Sequence, residues 1–264
     1  MILAIIQARL SSSRLPQKVL LDLFGKSLLG HIIDRVKSSR LVDQVIVATT
    51  TSASDDPLVD HLDKNRLCPV YRGSENDVLD RFYQCARVHA PEVIVRITAD
   101  DPLKDPEIID RAITLLQGNP ALDYCSNTLK PTFPEGLDVE VFRFRALERA
   151  HREATLESEH EHVTPYIWKH PERFTTLNFE NNEDLSHWRW TVDKPEDFAF
   201  MQAIYRHFYR GNSYFSFREV IEYLRSRPEL VAINSGTVRN EGYLKSLCQE
   251  QESPAKVPAS KHSP

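Results

Sequence analysis

Ile2-Leu3-Ala4-Ile5-Ile6-Gln7-Ala8-Arg9-Leu10-Ser11-Ser12-Ser13-Arg14-Leu15-Pro16-Gln17-Lys18-Val19-Leu20 is the stretch that decides the fold. Its first part is a short apolar run with β-branched residues, which reads as a buried strand. Its second part is a loop carrying three serines, Ser11 to Ser13, two arginines, Arg9 and Arg14, and Lys18. A strand that empties into such a loop has the makings of a polyanion cradle. Backbone N–H groups and hydroxyls hydrogen-bond phosphate oxygens, while Arg9, Arg14 and Lys18 neutralise the charge of a nucleoside triphosphate. The competing reading is a solvated basic loop after an edge strand, since arginines are common in loops.

Downstream, the apolar pattern alternates between strand and helix. Ser27 to Val36 has helical spacing, and Val45-Ile46-Val47-Ala48-Thr49-Thr50 is a continuous β run. Asp55 to Leu62 reads as a capped helix start with Pro57 in its first turn. Pro69 to Ala86 reads as a short strand ending at Arg72, a turn at Gly73, and a helix capped by Ser74 or Asp77. Such βαβ alternation specifies a mostly parallel sheet, whose ligands bind at the carboxyl ends of the strands. The strand Glu92 to Ala99 ends there in Asp100-Asp101-Pro102. Because Asp105 already suits the next helix cap, one of Asp100 or Asp101 is free to hold a hard divalent cation such as Mg²⁺. Asp138 and Glu140 project opposite the apolar residues of Leu137 to Phe142, toward solvent, a site or a partner.

Glu148 to Glu161 reads as one charged helix with a solvated end. Its His160 and His162 are spaced so that HExxH-type zinc ligation fails. Two more strands are expected at Phe174 to Glu180 and His187 to Asp193. The second ends in an acid that is either the cap of the helix beginning at Pro195 or a second metal carboxylate. A further helix runs from Phe217 to Leu224 and closes at Pro228. The polar, Pro-containing segment 248–264 reads as a disordered tail.

The net charge of −5 over 264 residues argues against a general nucleic-acid binder, and no apolar run is long enough to span a membrane. Arg9 and Arg14 follow the first apolar run instead of preceding it, unlike a secretory signal, so a cytoplasmic protein is expected. The four cysteines are dispersed without a CxxC pair and read as free thiols. With 8 glycines and neither GxGxxG nor GxxxxGKS, the sequence argues against a Rossmann dehydrogenase or Walker ATPase.

Six short motifs stand in order: Gln7-Ala8-Arg9 with Ser12-Ser13-Arg14-Leu15-Pro16 and Lys18; Arg72-Gly73-Ser74 with Asp77; Ala99-Asp100-Asp101-Pro102; Glu135-Gly136-Leu137-Asp138; Glu161-His162-Val163-Thr164-Pro165; and Thr191-Val192-Asp193 with Pro195-Glu196-Asp197. In these the chain resembles the cytidylyltransferases that make CMP-activated sugars, in particular the SpsF-like branch related to CMP-KDO and CMP-sialic acid synthetases. The resemblance implies one α/β nucleotidyltransferase domain over residues 1–247, with a three-layer Rossmann-like, GT-A-like core and a mostly parallel sheet. A small insertion at about 130–190 would serve the acceptor and a homodimer contact.

It further implies a reaction of CTP with a sugar or sugar-acid acceptor, releasing pyrophosphate, with Mg²⁺. On this chain, Arg14, Lys18 and Asp100 would be catalytic, and Asp100 and Asp193 would hold the metal. Gln7, Ala8, Arg9, Ser12, Ser13, Arg72, Ser74 and Asp77 would bind the nucleotide. Asp101, Glu135, Asp138, Glu161 and His162 would face the acceptor. Two departures stand out. Ser11 and Gln17 occupy positions that are Gly in many relatives, and Asp101 one that is Glu or Cys in others. The alternatives are a non-sugar phosphate, phosphonate or polyol-phosphate acceptor, or a non-catalytic nucleotide-binding module.

Overall fold

Alternate residues of the first strand, β1 (Ile2–Gln7), point to opposite faces, and both faces are buried in the computed structural model, which describes residues 1–12, 14–211 and 214–252. Leu3 and Ile5 join Ile46, Ile94, Leu79, Phe82 and Leu147 in one core. Ala4 and Ile6 join Val47, Val95, Ile33, Ile109, Met201 and Val220 in another. Helices therefore cover both faces of one sheet, giving the expected three layers, and a strand buried on both sides reads as the unbroken apolar run seen in the sequence.

The chain continues through α1 (Leu28–Lys37), β2 (Gln44–Thr50), α2 (Asp56–Lys64), β3 (Val70–Gly73), α3 (Val78–His89), β4 (Val93–Thr98) and α4 (Pro106–Gln117). Then come β5 (Tyr124–Ser126), β6 (Glu140–Arg143), α5 (Phe144–Glu153), α6 (Glu157–His162), α7 (Pro165–Lys169) and β7 (Thr176–Asn178). Four helices finish it: α8 (Pro195–Phe208), α9 (Phe217–Arg225), α10 (Pro228–Val231) and α11 (Glu241–Glu252). The caps are local side chains: Ser27 Oγ accepts from Gly30 N, Asp77 Oδ1 from Asp80 N, and Asp105 Oδ1 from Glu107 N.

The seven strands among the described residues lie in the order β3-β2-β1-β4-β6-β5-β7. β1 to β4 are mutually parallel where they pair, β6 runs antiparallel to both β4 and β5, and β7 is parallel to β5. The reversal brings Glu140, at the start of β6, opposite Arg96 near the carboxyl end of β4.

Several expectations need correction. His187 to Asp193 lies outside the sheet, leaving a turn at His187, crossing the loops and bending at Asp193. Trp190 N donates to Glu135 O at 2.7 Å and Val192 N to Asp100 O at 2.8 Å, and its one bridge is Glu135 with Arg189. The charged segment from Glu148 is two helices, because the chain turns extended at Ala154 and Glu159 accepts from Thr155 N and Leu156 N to start α6. Pro228 opens α10 instead of ending α9 in a loop. Part of the expected tail, Cys248 to Glu252, is helical in α11, while 253–264 lie outside the described residues.

Candidate active site

The carboxyl ends of β1 and β4 deliver the site. Leaving β1, Ala8 N donates to Ala48 O at 3.1 Å, and Leu10 N donates to Asp55 Oδ1 at 2.7 Å. Asp55, 1% exposed, also accepts from the hydroxyls of Thr49 and Thr50 at 3.1 and 2.5 Å. The expectation that this segment caps its own helix is thereby corrected: α2 has no side-chain cap, because the carboxylate at its start fixes the cradle loop. Gln17 sits at φ 53, so this side chain carries the left-handed turn that Gly makes at lower cost. Ser13 lies outside the described residues.

That loop aims Lys18 between the two expected metal carboxylates. Lys18 Nζ donates to Asp100 Oδ2 at 2.9 Å and to Asp193 Oδ1 at 2.6 Å. Asp193 also meets Arg14 at 2.9 Å and Arg189 at 3.0 Å. It is not the cap of α8, since Asp197 accepts from both Asp193 N and Lys194 N at 2.9 Å. Burial opposes ionisation of Asp193, but Lys18 and Arg14 outweigh it and hold the carboxyl well below its ordinary range. Burial likewise pulls Lys18 down, and Asp100 and Asp193 more than restore it, leaving its ammonium above the ordinary value.

Two cavities open on this cluster and share Gln7, Arg14, Thr98, Asp100, His162 and Asp193. The first, about 330 Å³, adds Ala8, Arg9, Ser12, Lys18, Arg81 and Glu161. The second, about 440 Å³, adds Asp101, Glu135, Asp138, Glu140, Trp168 and Tyr243. Of the residues singled out in the sequence, Gln7, Ala8, Arg9, Ser12, Arg14, Lys18, Asp100, Glu161, His162 and Asp193 line the first cavity, and Asp101, Glu135 and Asp138 line the second. His162 stands between the two, and burial pushes its imidazole down to about 4, so it is neutral at pH 7. Its Nε2 is 3.0 Å from Ser246 Oγ, which donates to Glu161 at 2.6 Å, and His160 pairs with Asp77 at 2.8 Å. The helix end read as solvated is thus tied down.

Arg72, Ser74 and Asp77 line neither cavity. Arg72 donates to Thr50 O and Ser52 O at 2.9 Å and pairs with Asp56 at 2.7 Å, while Ser74 Oγ and Asp77 serve the start of α3. In their place stands Arg81, which the sequence reading passed over. It is 2% exposed, Nη1 donates to Ser74 O, and Nε has no partner. Neither Arg81 nor Arg9 makes an ion pair among the described residues. Its position four after Asp77, among Val78, Phe82 and Cys85 on the buried face of α3, was the available signal.

The second cavity is the opposite case. Asp101 accepts from Lys104 at 2.8 Å and Thr98 at 2.7 Å, Glu135 from Arg189 at 2.7 Å, and Asp138 from Arg239. Burial pushes the Asp101 carboxyl up against the pull of Lys104. Glu140, expected to project toward solvent, a site or a partner, lines this cavity and is buried between Arg96, Tyr124 and Thr164; burial raises its carboxyl, and Arg96 with the Thr164 and Tyr124 hydroxyls more than reverses this. Gly136 carries the wall at φ +105, where a Cβ would lie 2.7 Å from the Trp190 carbonyl carbon.

Among the described residues no helix is long and apolar enough to cross a membrane. Residues 3–249 match the cytidylyltransferase family. An uncharacterized protein of Methanocaldococcus jannaschii is 40% identical over 244 residues, covering 92% of this chain and 97% of that protein. The spore coat polysaccharide biosynthesis protein SpsF of Bacillus subtilis is 37% identical over 214 residues, or 78% of this chain and 86% of SpsF. The structure of a cytidylyltransferase from Leptospira borgpetersenii superposes with a TM-score of 0.83 at 31% identity, over 90% of this chain and 99% of that one. The fold alone is shared with a CMP:2-keto-3-deoxy-manno-octonic acid synthetase complexed with CTP, at a TM-score of 0.62 and 17% identity, over 78% of this chain and 98% of that one. A cavity rich in cations, adjoining a second cavity across shared carboxylates, stands here on the sheet of these enzymes, and the chain belongs to the cytidylyltransferase family of nucleotidyltransferases.

Proposed function

We propose that the chain transfers CMP from CTP to a sugar or sugar-acid acceptor, with Mg²⁺, for polysaccharide or glycoconjugate synthesis, and that it does so as a homodimer joined through residues 130–190. The observation that carries this is the pair of cavities meeting at Asp100 and Asp193, one with cations to spare and one walled by hydrogen-bonding groups.

The residues suit the metal. Asp100 and Asp193 converge on one cationic point, now filled by Lys18 Nζ, and Mg²⁺ takes one or two carboxylates together with substrate phosphates. When bound there, Mg²⁺ supplies charge stabilisation at the phosphate oxygens. The rest is the work of the chain. Arg9 and the partly unpartnered Arg81 draw in the triphosphate, and Arg14 and Lys18 exchange their carboxylates for phosphate oxygens. Those cations offset the charge that builds as an acceptor oxygen attacks the α-phosphorus in line with pyrophosphate. Asp100 lines both cavities, which puts a carboxylate for the acceptor's proton where the two substrates would meet.

The test is a thermal-shift panel of the four NTPs with and without Mg²⁺, followed by pyrophosphate release with the best nucleotide and a panel of acceptors. The acceptors are 2-keto-3-deoxy-manno-octonic acid, a neutral hexose, an amino hexose and a polyol phosphate. CTP with Mg²⁺ should give the largest shift and a sugar or sugar acid the fastest release. A preference for another NTP, or release with the polyol phosphate alone, would displace this assignment.

A further inference from the structure

Of the side chains on α6, His162 alone lines both cavities, and the last helix holds its ring. Ser246 of α11 is buried, and its Oγ lies 2.6 Å from Glu161 Oε2, 3.0 Å from His162 Nε2 and 3.2 Å from Gly242 O. A hydroxyl has one proton, and an ionised carboxylate accepts without donating, so the shortest of these contacts takes the serine's proton to Glu161. Ser246 Oγ is then an acceptor toward the imidazole, which puts the ring proton on Nε2. Glu161 Oε2 stands 3.5 Å from that nitrogen, and its charge favours the proton there. On either side of Ser246, α11 is moored by Asn240 N donating to Glu135 Oε1 at 2.9 Å and by Glu250 Oε1 accepting from Ser158 N at 2.5 Å.

The other ring nitrogen is left with a lone pair, because burial keeps the imidazole neutral. Nδ1 has no hydrogen-bond partner among the described residues. It is also open to water, since the unpartnered side-chain atoms shut off from water are Arg81 Nε, Ser158 Oγ, Arg239 Nε and Tyr243 Oη. The His162 side chain as a whole is 23% exposed. We infer that Ser246 is a positioning residue for acceptor recognition: it turns His162 so that Nε2 donates to the last helix and Nδ1 accepts from an O–H or N–H group of the acceptor. This rests on the two-substrate site proposed above. A ring fixed this way favours a hydroxyl or amine where the cavities meet and disfavours a bare carboxylate or phosphate oxygen, whose lone pairs would face its own.

Two substitutions separate the ring nitrogens, because the amide of Gln reaches the place of Nε2 and that of Asn the place of Nδ1. With the acceptor of the panel that gives the most pyrophosphate, His162→Gln should raise the acceptor KM about tenfold, and His162→Asn should raise it less. A histidine needed only for its bond to Ser246 would give the reverse order. Ser246→Ala should raise the acceptor KM about threefold, and the KM for CTP should stay put in all three variants. In the ligand-free full chain at pH 7, nitrogen NMR of the histidine rings should show the signal lost in His162→Gln to be protonated on Nε2 and bare on Nδ1. A proton on Nδ1, a milder effect of His162→Gln than of His162→Asn, an unchanged acceptor KM in Ser246→Ala, or a CTP KM rising in step would each overturn the assignment while leaving transfer by the wild type in place. A wild type silent with every acceptor defeats the function itself and the assignment with it.

Discussion

The two cavities share six side chains and differ in how their charges are met. Around the first, Arg9 and Arg81 stand without a carboxylate among the described residues, and burial and then the like charge of Arg9 pull the Arg81 guanidinium below its ordinary value. Around the second, Asp101, Glu135, Asp138 and Glu140 each hold a cation of the chain's own. One half waits for an anion, and the other is neutralised in advance. A polyanion is the ligand that relieves the first, whereas the second gains little from a charged ligand and selects by hydrogen bonds and shape.

The largest effect that bears on this contrast is expected at Glu140→Gln. Removing the carboxylate leaves Arg96 buried without its partner, and chemical denaturation should show a loss of about 3 kcal/mol. A neutral result would mean that the second cavity's wall is not prepaired. Next, Asp100→Ala should cut pyrophosphate release about a hundredfold with the circular dichroism spectrum intact, and near-normal release would remove Asp100 from the transfer step. Arg81→Met keeps the apolar stem while deleting the cation. The dissociation constant for CTP should rise about tenfold and Tm should not fall, whereas a large drop in Tm would show that the guanidinium is structural.

The smallest effect is in the pH dependence of the Tm gap between wild type and Asp193→Asn. A carboxyl held below its ordinary 3.8 stays charged in the folded chain where the unfolded chain takes up a proton. Its stabilisation is therefore full above that value and shrinks as pH falls below it. Lys18 has the opposite sign: with its ammonium raised above 10.5, its contribution is full below 10.5 and is lost as pH rises from there through its folded value. A gap that narrows between pH 5 and pH 9 would contradict the Lys18–Asp193 contact.

What the sequence makes legible divides along the same line. The strands of the first half could be read because burial on both faces imposes an unbroken apolar run, as in Ile2 to Ile6 of β1 and Val45 to Ala48 of β2. The cradle and the Asp100 strand end follow directly from those runs, since a loop's place is set by the strand before it. Arg81 was hidden because a cation on an apolar helix face looks like a breach of pattern, and the same holds for Arg96 near the carboxyl end of β4. The second half assembles from partners far apart in the chain. Arg239 meets Asp138 across 101 positions and Asn240 meets Glu135 across 105, and no local spacing encodes such contacts. His187 to Asp193 misled for a related reason. It alternates as a strand does, yet its backbone bonds loop ends, so periodicity reports burial on one side and not membership of a sheet.

The contact between Arg14 and Glu241 has a consequence for how nucleotide affinity responds to salt. A triphosphate reaching Arg14 displaces a resident carboxylate, so its affinity at that point is the difference between two anions. Raising the ionic strength screens the incoming and the departing anion alike. The dissociation constant for nucleotide should therefore vary less steeply with salt than the number of cations around the cavity implies, and Glu241→Gln should restore the steeper slope.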